Sequence, residues 1–125
     1  MTVIDYFVGF LSEPEGIGAF LEGEGFKLRL TDNSGNVPYY QRPVFIVYTP
    51  ENSFINPDSE FWTEQFQCKS PVRALARTSH ADPRNNDKAL EIAVKLAERY
   101  PTSVLGEQDS SSDRFSIITP KKKHS

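Results

Sequence analysis

Residues 87–100 place Ala89, Ala93, Leu96, Ala97 and Tyr100 at i, i+4, i+7, i+8 and i+11, an apolar stripe at helical spacing, flanked by Leu90, Ile92 and Val94. Most helical stability in proteins comes from packing an amphipathic face, so this segment obliges the rest of the chain to supply an apolar surface for it. Asn85 or Asn86 can cap the helix, Glu91 and Lys95 form an i, i+4 pair, and Pro101 stops it.

That surface is expected to be a sheet. Residues 2–11 set Ile4, Tyr6, Val8 and Phe10 on one face against Asp5, Phe7 and Gly9 on the other, a strand suited to burial on both sides. Residues 26–31 alternate Phe26, Leu28 and Leu30 with Lys27, Arg29 and Thr31, the pattern of a half-buried strand. Turn residues follow at 32–36, and residues 37–40 and 44–49 resume the extended pattern, which predicts an antiparallel hairpin. Pro38 and Pro43 cannot donate to a ladder, so the first part of this returning segment is expected at an edge or in a bulge, whereas Val44-Phe-Ile-Val-Tyr reads as a central strand. Residues 72–78, 103–107 and 114–119 supply three more strands, the last two joined by Gln108-Asp-Ser-Ser-Ser-Asp.

Two further helix starts are present. Ser12-Glu-Pro-Glu offers a cap and an acidic first turn, though Gly16 and Gly18 weaken the helix and Gly23 and Gly25 end it. Asn56-Pro-Asp-Ser-Glu offers Asn56 as cap and Pro57 at the first helical position, with Phe61, Trp62, Gln65 and Phe66 on one side. The order predicts one α+β domain over residues 1–119: a mostly antiparallel sheet of about five to six strands, with two to three helices packed mainly on one face. A disordered basic tail is expected at 120–125.

Cys68 is the one cysteine in 125 residues, so no intrachain disulfide can form and no Cys/His set has zinc-ligand spacing. A reducing cytoplasmic location is expected, since residues 1–11 lack the marks of a signal peptide and no apolar run approaches the ~18 residues of a membrane span. Charge is uneven along the chain. Residues 1–68 carry ten acids against three bases, a net −7, while residues 69–125 carry eleven bases against seven acids, a net +4. An acidic half is no footprint for nucleic acid, whose phosphates need clustered Lys and Arg, but it suits a basic protein partner.

Catalytic patterns are not evident. Cys68 and His80 have no motif spacing; Gly16, Gly18, Gly23 and Gly25 are interrupted by Glu13, Glu15, Glu22 and Glu24, whose charges would repel a phosphate; Asp109 and Asp113 do not fit a calcium loop. What remains is a concentration of aromatics near acids: Tyr39, Tyr40, Tyr48, Phe54, Phe61, Trp62 and Phe66. Tyr and Trp anchor protein interfaces and acids set the association rate, while a domain of this size also needs several such rings for its core.

Arg42-Pro-Val-Phe-Ile-Val-Tyr, and Ala89-Leu-Glu-Ile-Ala-Val-Lys-Leu-Ala-Glu-Arg-Tyr followed by Val104-Leu-Gly-Glu-Gln, in a small acidic α+β chain, resemble bacterial immunity proteins of contact-dependent or secreted toxins. The resemblance implies a cytoplasmic, non-catalytic inhibitor that occludes the active site, or an adjacent surface, of a cognate toxin, often a basic nuclease. The expected binding residues are Tyr39, Tyr40, Asp58, Glu60, Trp62 and Glu64, with no catalytic, metal or cofactor residues. No nucleic-acid or membrane partner is expected, and the chain is read as monomer or homodimer. The alternatives are an adaptor or regulatory module, homodimeric through a sheet edge, and a small ligand-binding protein.

Overall fold

β1 (Ile4–Phe10) is mostly apolar and occupies a place in the fold where both of its faces are buried. The structure, a computed structural model, describes residues 2–30, 38–50, 64–69, 72–109 and 115–118. β1 pairs antiparallel with β5 (Ala74–Ser79) on one side and with β6 (Ser103–Asp109) on the other. Outward from β5 follow β4 (Phe45–Pro50), β3 (Pro38–Gln41) and β2 (Lys27–Leu30); outward from β6 lies β7 (Phe115–Ile118). The sheet has the order β2-β3-β4-β5-β1-β6-β7 with every pair antiparallel, seven strands rather than the five or six expected.

The long helix runs over Asn86–Arg99, led by a single 3-10 turn at Pro83–Asn85, and is α2 here. It connects β5 to β6, which run in the same direction with β1 inserted between them. Ala89, Ala93, Leu96 and Ala97 are buried against the sheet face that carries Tyr6, Val8, Phe10, Ile46, Tyr48, Ala76 and Leu105. The small Ala89, Ala93 and Ala97 of the helix meet mostly large side chains of the sheet. Neither asparagine caps α2 with its side chain: Asn85 holds the cap position without a side-chain bond, and Asn86 is used elsewhere. Its Oδ1 accepts from the Ile4 backbone N–H at 3.1 Å and its Nδ2 donates to the Thr2 carbonyl at 2.9 Å, strapping the start of β1 to the helix.

The first helix, α1 (Ile17–Gly23), begins four residues later than Ser12 as a cap suggests. Ser12 is engaged across the fold with Thr102, hydroxyl to hydroxyl at 3.0 Å, and the chain turns into the helix through Gly16 at φ 76°. That left-handed backbone favours glycine. Ile17 and Leu21 of α1 are buried in the same core, where Tyr100 packs edge-on against Phe10 and Phe20 and donates its hydroxyl to the Glu15 carbonyl at 2.8 Å.

The opposite sheet face holds a smaller cluster of Phe7, Phe66, Val72 and Leu75. Its floor is made by two glycines. A Cβ at Gly9 would stand 3.0 Å from the Phe66 ring, and one at Gly106 only 2.6 Å from the Phe115 ring, so both strands lack side chains where aromatic rings lie flat on the backbone. The two rings meet edge-on with centroids 5.4 Å apart. The helix predicted from Asn56 begins outside the described residues, but its end at Glu64 and Gln65 is helical and delivers Phe66 to this cluster. The tail expected at 120–125 also lies outside the described residues.

Candidate binding surfaces

The fold mixes the two charge halves that the sequence separates. β1, from the acidic half, lies between β5 and β6 of the basic half. Asp5 is buried and accepts from Arg77 Nη2 at 2.8 Å and from Ser79 Oγ at 3.3 Å, while Arg77 also lies over the Phe7 ring at 5.6 Å. Glu24 of the acidic half pairs with Lys95 of α2 at 3.0 Å. The acids left exposed around α1 are Glu13, Glu15 and Glu22, in a stretch, residues 1–26, that holds no Lys or Arg.

Of the six residues expected to bind a partner, Asp58, Glu60 and Trp62 lie outside the described residues. Tyr39 sits in β3 with its backbone between Arg29 and Val47, and its side chain is likewise outside the description. Tyr40 is only 6% exposed and belongs to the main core, its hydroxyl beneath α1 at Gly18. Burial, with the nearby Glu22 charge second, raises its phenol above the ordinary range. Glu64 is exposed at the turn that leads into the cluster on the other face. The structure therefore does not bring Tyr40 and Glu64 together, and Tyr40 acts as packing rather than as a surface anchor.

Two surfaces stand out instead. The first is β2, which among the described residues pairs only with β3 and closes one end of the sheet. Its Leu28, expected to point into the core, is 45% exposed and is the one exposed large hydrophobic side chain among the described residues. Leu28 does share the core-facing side of the sheet with its partner Tyr40, but α2 packs chiefly over β1, β5 and β6 at the middle of the sheet and leaves Leu28 largely uncovered.

The second is a cleft of about 300 Å³ lined by Glu24, Phe26, Arg42, Pro43, Val44, Lys88, Glu91, Ile92 and Lys95. It lies between α2, the end of α1 and the β3–β4 turn. Pro43 belongs to that turn, where the Arg42 N–H donates to the Val44 carbonyl at 2.9 Å, which accounts for a proline in mid-hairpin although β3 is not an edge strand. The Arg42 guanidinium donates to the Glu24 carbonyl at 2.6 Å and stacks 5.1 Å above the Phe26 ring. Lys95 is held by Glu24 and lies 3.9 Å from Glu91. The Glu24 hydrogen bond and charge, with a smaller push from Glu91, raise the Lys95 ammonium above its ordinary range against burial and the repulsion of Arg42. No local sequence signal announces this cleft, because its walls come from three separate segments.

The other reactive side chains are structural. His80 is 7% exposed, and its ring nitrogens face the carbonyls of Asp82 and Ile4, each at 3.0 Å, which leaves neither to serve a nucleophile. Cys68 packs against the Phe66 cluster. Among the described residues no group of three or more His, Cys, Asp or Glu side chains is placed to hold a metal ion, and no helix is long and apolar enough to cross a membrane. Compared with known proteins, the chain matches no family model, no curated protein and no solved structure.

Proposed function

We propose that this chain is a non-catalytic, cytoplasmic protein-binding inhibitor of the immunity-protein kind, and that it engages a basic toxin domain through the β2 edge and the acids of α1. The observation that carries the reading is the edge itself. Among the described residues β2 is a terminal strand of the sheet, it presents Leu28, and it follows directly on the helix that bears exposed Glu22. β2 also carries Lys27 and Arg29, charges of the kind that guard edge strands, so the reading rests on Leu28, an exposed apolar side chain on a terminal strand that suits addition of a partner strand. The acids that precede β2, Glu13, Glu15 and Glu22, would speed the approach of a cationic partner against the opposing charge of Lys27 and Arg29.

The test is binding to the product of the adjacent gene, since toxin and antidote are normally encoded together. Calorimetry at low and high salt should give tight, salt-weakened binding that Leu28→Asp reduces by at least ~10-fold. Absence of binding at low salt refutes the reading. An open edge also admits a second copy of the chain. A homodimer in sedimentation equilibrium that Leu28→Asp dissociates, together with no binding to the neighbouring product, favours the adaptor reading instead.

A further inference from the structure

The cleft beside α2 holds more positive charge than its own carboxylates neutralise. Three cations, Arg42, Lys88 and Lys95, face two acids, Glu24 and Glu91. Both acids lie on Lys95, at 3.0 and 3.9 Å. Arg42 spends its contacts on a neutral carbonyl and an aromatic face, and Lys88 has no ion pair among the described residues. Lys88, Ile92 and Lys95 recur at i, i+4 and i+7, so α2 turns one stripe toward the guanidinium of Arg42. This net positive hollow occurs in a chain whose overall charge is −3.

We propose that the cleft binds a small monocarboxylate with an apolar body, its carboxylate between Arg42 and Lys88 and its apolar part against Phe26, Pro43 and Ile92. Three features select this ligand. The planar guanidinium is already fixed by Phe26 and the Glu24 carbonyl, and its fork matches a carboxylate. The net +1 of the lining matches a single negative charge, whereas a phosphate dianion would meet the two glutamates. A volume of about 300 Å³ is at the small end for ligand sites. The site is independent of the β2 edge, and either proposal can fail alone.

The experiment is a ¹H–¹⁵N titration of the full chain with sodium benzoate, with benzyl alcohol, sodium phosphate and sodium chloride at matched ionic strength as comparisons. Saturable shifts are expected at Val44, Lys88, Glu91 and Ile92 for benzoate and not for the other three. Lys88→Gln, at an exposed position without an ion pair among the described residues, should weaken binding about three-fold. Arg42→Gln should weaken it about ten-fold or more. The proposal is overturned if benzoate gives no saturable shift by about 50 mM, well above the millimolar range of a weak single contact. It is equally overturned if chloride or phosphate moves the same amides as far, or if Lys88→Gln binds as well as the native chain.

Discussion

Gly18→Ala tests whether Tyr40 is locked under α1. In most helices this change stabilises by about 0.5–1 kcal/mol, because glycine loses more backbone freedom on folding. Here a Cβ at residue 18 would stand 2.6 Å from the Tyr40 hydroxyl oxygen, with the ring carbon that bears it next at 3.7 Å, an ordinary contact. The obstruction is therefore one atom. Tyr40 is 6% exposed and cannot swing away, so the helix or the strand must move, an overpacking cost of about 1–3 kcal/mol that outweighs the propensity gain. Gly18→Ala should destabilise the native chain by about 1 kcal/mol, a fall in Tm of about 4 °C for a domain of this size. In a Tyr40→Phe background the same change should stabilise, giving a coupling of about 2 kcal/mol in the double-mutant cycle. Urea denaturation followed by circular dichroism measures all four proteins. If Gly18→Ala has the same effect in both backgrounds, the Tyr40 hydroxyl is not beneath α1 and the placement of Tyr40 in the core is wrong.

Other consequences of the packing are as direct. The Thr78 hydroxyl is fully buried with no hydrogen-bond partner among the described residues, so Thr78→Val, of nearly the same shape, should raise stability by about 1 kcal/mol; a loss in thermal denaturation would reveal a partner. Gly106→Ala should cost about 1–3 kcal/mol by lifting Phe115, and Phe115→Ala in the same chain should remove most of that cost; equal costs in both chains would contradict the glycine floor. Tyr6, Tyr40 and Tyr100 all have phenols raised above 10.0, burial being the largest cause in each. Their contribution to stability is complete below the unfolded value and is lost as pH rises through the raised folded values. Alkaline titration should show these phenolates appearing together with unfolding, and early ionisation in a still folded chain would count against their burial.

Much of the fold was legible because its strands obey period two and its main helix obeys 3.6. The pattern of β1 pointed to burial on both faces, and the stripe from Ala89 to Tyr100 marked the face of α2. What local pattern misreads is everything decided by a distant partner. Ser12 looks like a helix cap, yet its hydroxyl is taken by Thr102. Leu28 alternates as a core residue should, but its strand lies at one end of the sheet while α2 packs chiefly over the middle, so the pattern is correct about the face and silent about the cover. Tyr40 reads equally as anchor or core, and only the approach of Gly18 decides it. Charge halves in the chain do not become charge halves of the molecule, because β1 is threaded between strands from the other half.

The proposal that β2 is the inhibitory edge is tested most directly by survival of bacteria expressing the neighbouring gene's product alone, with this chain, or with its Leu28→Asp variant. The account predicts that the product is toxic and the native chain protects. Leu28→Asp should fail to protect although its stability stays within about 0.5 kcal/mol of native, as expected for a half-exposed side chain. Full protection by Leu28→Asp, or none by the native chain, would contradict it.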